Sequence, residues 1–255
     1  MPQSAPAHFS SLAPFLDLFQ QGVPILTYHK VGPRPRGVRL KGLYVSAALF
    51  ARQLAELKAA GFSSIAPGEW RAQPGNEAKQ IVLTFDDGFR NVWEHALPVL
   101  RAQQCRAIQF LVADRLGQTN DWDAAVGEVP APLMDRSQVC DWLAAGNWIG
   151  SHTLSHPYLT RLALAGAREE IAASKQRLED EFGVAVEHFC YPYGDWNERV
   201  RDLVMAAGYR SACTTRGGIN TPETHRFELQ RFTARYASRN WKNVKLWLKN
   251  RVRLA

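Results

Sequence analysis

Short apolar runs closed by turn residues alternate with helix-length amphipathic segments along the chain. Residues 23–28, 81–85, 107–112, 148–150, 188–191 and 209–214 read as strands. Residues 46–60, 91–104, 137–145, 163–182 and 198–207 read as helices between them. Strands that are apolar throughout must be covered on both faces, and helical crossovers between parallel strands supply that cover. Both an open doubly wound sheet and a closed barrel satisfy the pattern, and both collect functional residues at the carboxyl ends of their strands. Residues 114–135 carry no regular signal. A stretch that long is either a wall of a binding cleft or a plain surface insertion.

The chain has 255 residues, 46% hydrophobic and 22% charged, which suits one large α/β domain or two small ones. No apolar run approaches the roughly 18 residues of a membrane-spanning helix. Residues 1–29 contain no Lys or Arg and are punctuated by Pro2, Pro6, Pro14 and Pro24, unlike the basic leader and apolar run of an export signal. Cys105, Cys140, Cys190 and Cys213 are scattered, without zinc-knuckle spacing, and read as reduced thiols. A cytoplasmic setting is therefore expected.

The net charge of +7 has a local origin. Seven basic residues and no acidic one lie between positions 235 and 253, and without them 24 basic residues face 24 acidic ones. The body of the protein is neutral, so no nucleic-acid-binding surface is expected. Trp241, Val244, Leu248 and Val252 give the tail an apolar stripe at helical spacing. A basic amphipathic helix over 235–255 either lies on an anionic membrane surface or packs its stripe on the domain.

Three clusters carry chemistry. Asp86 and Asp87 follow the strand 81–85 and precede Gly88. Adjacent carboxylates at a strand end point apart, so one can bind a metal while the other works as a base; the alternative is a pair of helix-capping acids in a turn. His152 and His156 follow the strand 148–150. In a helical turn they would share a face and converge on one ion, and Pro157 requires that turn to be compact. Two imidazoles and one carboxylate leave coordination positions open, as a catalytic metal site requires, although iron oxygenase chemistry uses the same donor set. The third cluster, Tyr191-Pro192-Tyr193-Gly194 with Trp196 beyond it, is a rigid turn with backbone N–H groups for an oxyanion and aromatic rings for the apolar face of a sugar.

Together these segments resemble the polysaccharide deacetylase (NodB-like) family, carbohydrate esterase family four. Thr84-Phe85-Asp86-Asp87-Gly88 is similar to its first motif, His152-Thr153-Leu154-Ser155-His156 to its second and Tyr191-Pro192-Tyr193-Gly194 to the core of its third. The resemblance implies a distorted (β/α) barrel of about seven parallel strands over residues 23–234, with residues 1–22 as an N-terminal extension. It implies hydrolysis of N-acetyl groups on the amino sugars of a glycan or lipid-linked glycan. Asp87, His152 and His156 match the ligands of a divalent metal, usually zinc. Asp86 matches the general base and Tyr193 the backbone oxyanion donor; the aromatic character of the third cluster makes Tyr191, Pro192 and Trp196 the candidate substrate contacts.

Two departures stand out. Cys190 occupies the place where the family's third motif has an Arg that orients the catalytic Asp. The stretch 227–231 also lacks the family's late general-acid His, and His225 sits in the wrong context. Residues 24–31, Pro24-Ile25-Leu26-Thr27-Tyr28-His29-Lys30-Val31, resemble the opening strand of the bacterial exopolysaccharide deacetylase branch that acts on poly-N-acetylglucosamine. That resemblance makes His29 the general acid. A deformylase or other amide hydrolase on the same scaffold, or a silent membrane-associated glycan-binding protein, is the alternative.

Overall fold

The computed structural model describes residues 11–69 and 79–234. In chain order the elements are α1 (Leu16–Phe19), β1 (Ile25–Tyr28), β2 (Lys30–Val31), β3 (Tyr44–Val45), α2 (Ala47–Ala59), β4 (Phe62–Ser64), β5 (Lys79–Phe85), α3 (Arg90–Gln103) and β6 (Ile108–Leu111). They continue with α4 (Arg136–Ala144), β7 (Trp148–Ser151), α5 (Leu164–Phe182), β8 (His188–Cys190), α6 (Glu198–Ala206), β9 (Ser211–Cys213) and β10 (Phe232–Thr233). The basic amphipathic helix expected over 235–255 lies outside the described residues.

Eight strands form one curled sheet in the order β10-β1-β5-β6-β7-β8-β9, with β4 beside the start of β5, and β2 and β3 pair separately. Every pairing is parallel. This is the distorted (β/α) barrel of about seven strands that the resemblance implies, one of the two architectures the alternation admits. Residues 226–234 run from one end of the sheet to the other. Leu229 bridges Cys213 of β9, and Phe232 and Thr233 then pair with Leu26 and Thr27 of β1.

Local chemistry sets the helix ends. Ser46 caps α2 by accepting from Leu49 N at 3.2 Å, and the helix stops before Gly61, whose φ of 84° an L side chain rarely adopts. Asp135 and Gln138 form a reciprocal capping box on α4, and Asn197 caps α6. α2 buries Leu49, Phe50, Leu54 and Leu57, each contributing about 1.5–3 kcal/mol of apolar transfer.

Side chains alternate between two buried faces of the sheet. Leu26, Tyr28, Leu83, Phe85, Leu111, Phe189 and Ala212 join the large core under the helices. Ile25, Val82, Ile108, Phe110, Cys190, Cys213 and Leu229 form a second, smaller cluster without helix residues, on the inner face of the curl. That interior is narrow: a Cβ on Gly150 would come within 2.6 Å of the Phe110 ring. The described part of the N-terminal extension packs on the domain. Leu12 and Phe19 are buried in the large core, and Phe19 packs its ring on Phe62 and Phe232.

Candidate active site

Because the strands are parallel, their carboxyl ends meet at one rim. The two-residue period then decides which side chains face inward there. His29 shares the phase of inward Ile25 and Thr27, Asp86 that of Val82 and Thr84, and His152 that of Gly150. The alternation thus gathers an imidazole, a carboxylate and a second imidazole inside one mouth. Asp87 has the opposite phase, but its φ of 74°, followed by 84° at Gly88, swings the chain so that its carboxylate rejoins the group. A Cβ on Gly88 would stand 3.1 Å from Leu111, so both backbone and space favour glycine there.

Asp87 Oδ1 is 3.4 Å from His152 Nε2 and 3.4 Å from His156 Nε2, and all three side chains are buried. These separations are long for hydrogen bonds and right for three ligands around one ion. His152 Nδ1 lies 2.7 Å from the Cys190 carbonyl, a hydrogen bond that puts a proton on Nδ1 and leaves Nε2 as the nitrogen turned toward Asp87. His156 Nδ1 is buried with no hydrogen-bond partner among the described residues. Burial alone would raise the Asp87 pKa, but the two imidazoles hold it well below the usual carboxylate range. An N,N,O donor set with an ionised carboxylate fits a divalent ion such as zinc.

Asp86, His152 and Cys190 also lie within ligand distance of one another, yet they make a poorer site. Burial pushes the Cys190 thiol up to about 11, so it stays protonated. Both Asp86 oxygens are already engaged elsewhere.

The turn bearing the two histidines is not helical. Thr153 and His156 have φ of 71° and 68°, and the chain bends between them. Pro157 disfavours right-handed helix at His156, and the left-handed conformation is the alternative taken. A helix neighbour holds the bend. Glu170 Oε2 accepts from Leu154 N at 2.9 Å and Ser155 N at 3.0 Å, and Glu170 Oε1 accepts from Ser155 Oγ at 2.6 Å. Thr153 Oγ1 accepts from His156 N at 2.9 Å. Of five non-glycine residues with positive φ in the described chain, Asp87, Thr153, His156 and Tyr193 lie at this site. Backbone strain of this kind persists only where the surroundings over-determine it.

Asp86 faces a guanidinium. Arg231 Nη1 donates to Asp86 Oδ1 and Nη2 to Asp86 Oδ2, each at 2.8 Å, and all of it is buried. Burial would raise the Asp86 pKa, and Arg231 outweighs that and lowers it. His29 Nε2 stands 3.7 Å from Asp86 Oδ2 with one fifth of its side chain exposed. Its burial favours the neutral imidazole, against the pull of Asp86 and Asp87.

The third cluster divides. Tyr193, at φ 59°, projects half-exposed at the mouth, with its ring 4.5 Å from His156 and stacked at 3.9 Å on Tyr158. Tyr191 and Pro192 are buried beneath the turn. The Tyr191 hydroxyl donates to the Phe227 carbonyl at 3.0 Å, and its ring stacks on Trp196. Trp196 remains part-exposed, with the Arg216 guanidinium 4.6 Å above it. Tyr191 therefore supports the turn from below and does not present its face to the cleft.

Reading the sequence missed Arg231, Glu170 and Trp122. Trp122, in the irregular segment 114–135, lies over His156 with ring centroids 4.4 Å apart, so that segment forms a wall of the site. Glu170 looks like any acid on the polar face of a helix. Arg231 had a usable signal: a lone cation between Leu229 and Phe232, two residues from an inward-facing leucine.

Residues 73–212 match the polysaccharide deacetylase family. The chain is 24% identical over 213 residues to a Bacillus subtilis protein named polysaccharide deacetylase YxkH, covering 82% of this chain and 70% of the relative. It is 21% identical over 204 residues to the poly-β-1,6-N-acetyl-D-glucosamine N-deacetylase of Staphylococcus aureus, covering 75% and 68%. Among solved structures, the polysaccharide deacetylase BC0361 of Bacillus cereus superposes with a TM-score of 0.71 at 25% identity, covering 90% of this chain and 68% of that one. IcaB from Ammonifex degensii superposes at 0.73 with 23% identity, covering 89% and 96%.

Proposed function

We propose, from the premise that this chain belongs to the polysaccharide deacetylase family, that it hydrolyses N-acetyl groups on amino-sugar glycans with a divalent metal held by Asp87, His152 and His156. One observation carries the reading. Three convergent ligand atoms, one on an imidazole held through its other nitrogen, sit beside an ionised carboxylate that is not among them. A protein that only bound glycans would have no use for that separate base.

Bound there, zinc or a similar ion supplies Lewis acidity, which makes water nucleophilic near neutral pH and polarises a carbonyl. Asp86 takes a proton from the attacking water as its oxygen bonds to the amide carbon. The Tyr193 N–H, presented by the left-handed turn, donates to the oxyanion that develops. His29 then delivers a proton to the amine as the C–N bond breaks, leaving acetate and a free amino sugar. His29 Nε2 lies 3.7 Å from Asp86 Oδ2, so the proton taken by the base has a short route to the leaving amine. The basic residues and apolar stripe over 235–255 support a further part of the reading, contact with an anionic membrane carrying a lipid-linked substrate. Sedimentation with anionic vesicles, with and without residues 235–255, checks that part.

The test is acetate release from N-acetylglucosamine oligomers, run alongside N-formyl and longer N-acyl analogues. Chelation, Asp87→Ala and His152→Ala should each abolish it, and zinc should restore the chelated wild type alone. Activity that survives chelation and both substitutions sinks the metal assignment. Preference for a formyl group would move the reading to the deformylase alternative.

A further inference from the structure

We infer that Arg231 is the positioning residue for the base Asp86, brought to it from the far end of the chain by the segment that joins β9 to β1. The assignment rests on the deacetylase reading and concerns only how its base is held.

The guanidinium is fully committed. Nε donates to the Thr214 carbonyl at 2.8 Å, and Nη1 donates to Thr84 Oγ1 at 3.1 Å and to Asp86 Oδ1. Nη2 donates to Asp86 Oδ2 and to Cys190 Sγ at 3.2 Å. All five of its N–H donors are therefore spent, on three strand ends and one carboxylate. A planar fork fixed at every donor fixes the plane of whatever it grips, so the Asp86 carboxylate cannot rotate about its last bond. With one lone pair on each oxygen occupied by Arg231, the remaining lone pairs face the mouth shared with His29 and the ligand trio. A lysine there, with a point charge and no plane, would keep the charge and lose the aim.

Cys190 extends the coupling. Its sulfur accepts from Arg231, and its carbonyl oxygen lies 2.7 Å from Nδ1 of the ligand His152. One residue thus ties the holder of the base to the orientation of a metal ligand. The contact also defines a rescue, because a side chain at position 190 reaches the space that the guanidinium fills.

The experiment uses the full chain loaded with zinc and N-acetylglucosamine oligomers as substrate. Arg231→Lys and Arg231→Ala should each lower kcat about 100-fold, the range of a misplaced general base, with KM held within about threefold. Zinc stoichiometry and affinity should stay at the wild-type value, since no ligand is touched. Combining Cys190→Arg with Arg231→Ala returns a guanidinium to the same space and should recover kcat about tenfold over Arg231→Ala.

A folded, zinc-loaded Arg231→Lys with near wild-type kcat would overturn the inference. So would a folded double variant no faster than Arg231→Ala. Failure of all three variants to fold would assign Arg231 to the barrel and not to the base, and would equally overturn it. Wild-type protein that releases no acetate is a different result, which sinks the deacetylase reading itself.

Discussion

Lys30 and Glu128 face each other across 3.8 Å, both side chains fully buried, tying the strand after His29 to the wall that carries Trp122. The Lys30 ammonium also lies 4.3 Å from the Phe89 ring centroid, and Glu128 Oε2 accepts from Arg39 N and Leu40 N at 2.8 and 2.7 Å. Breaking a buried pair strands a charge, which costs about 3–5 kcal/mol. Glu128→Ala should therefore lower unfolding stability by about that much, whereas Lys30→Met combined with Glu128→Gln should cost less than the two single changes added. Urea titrations of the wild type, Lys30→Met, Glu128→Gln and the double variant give the coupling; single changes that add to within about 0.5 kcal/mol would show the pair to be independent.

Glu170 holds the turn between His152 and His156, the proposed ligands, through three hydrogen bonds, without touching their rings. Such support typically sets metal affinity by about 10–100-fold. Glu170→Ala should weaken zinc binding by that factor and leave the fold intact. Competition against a zinc-sensitive chelator measures it, and an unchanged affinity would mean that the positive-φ backbone holds the turn alone.

Tyr193 makes opposing contributions. Its φ of 59° is strained for a tyrosine, while its ring stacks on Tyr158. Tyr193→Gly relieves strain worth about 1 kcal/mol and loses an aromatic pair of about 0.5–1.5 kcal/mol, so stability should change little. The peptide N–H remains, so kcat should fall less than about tenfold, well short of the 100-fold or more lost with an oxyanion donor. A larger drop would place the chemistry in the ring.

His188 is buried, with Nδ1 2.9 Å from Ser211 Oγ, and burial lowers its pKa from 6.5 to about 4. The fold thus prefers the neutral imidazole. Its contribution is complete above pH 6.5 and is lost as pH falls from there toward 4, because the unfolded chain gains a proton that the fold resists. Between pH 7.5 and 4.5 the loss should be about 2–3 kcal/mol. His188→Gln should remove that part of the acid sensitivity, read from urea midpoints at the two pH values. Equal pH dependence in both proteins would show that His188 charges freely in the fold.

The strands and helices that position the site were legible because each carries its own period and its own caps. The inward phase of His29, Asp86 and His152 follows from counting by twos along those strands. What escaped the sequence is what the curl of the sheet brings together. β10 has two residues, too few for any periodicity, so the segment that returns to β1 gave no strand signal, and Arg231 passed unnoticed in a stretch remarked only for lacking a late histidine. The His152–His156 turn looked helical from its spacing. Pro157 and the Glu170 contacts favour a left-handed bend, which sequence spacing does not distinguish from a helix. Tyr191 and Tyr193, two residues apart on one turn, have opposite fates because Pro192 and the left-handed Tyr193 reverse the chain between them.

The segment from Leu229 to Thr233 has a consequence for biosynthesis. The proposed ligands, base and acid all emerge from the ribosome before it, His156 last among them. At 5–20 residues per second, Arg231 follows His156 by roughly 4–15 s. During that interval a nascent chain has its metal-binding residues but a carboxylate with no guanidinium beside it. The full rate then awaits the docking of the closing segment on β1, since a chain cut short before residue 229 lacks the guanidinium that aims the proposed base.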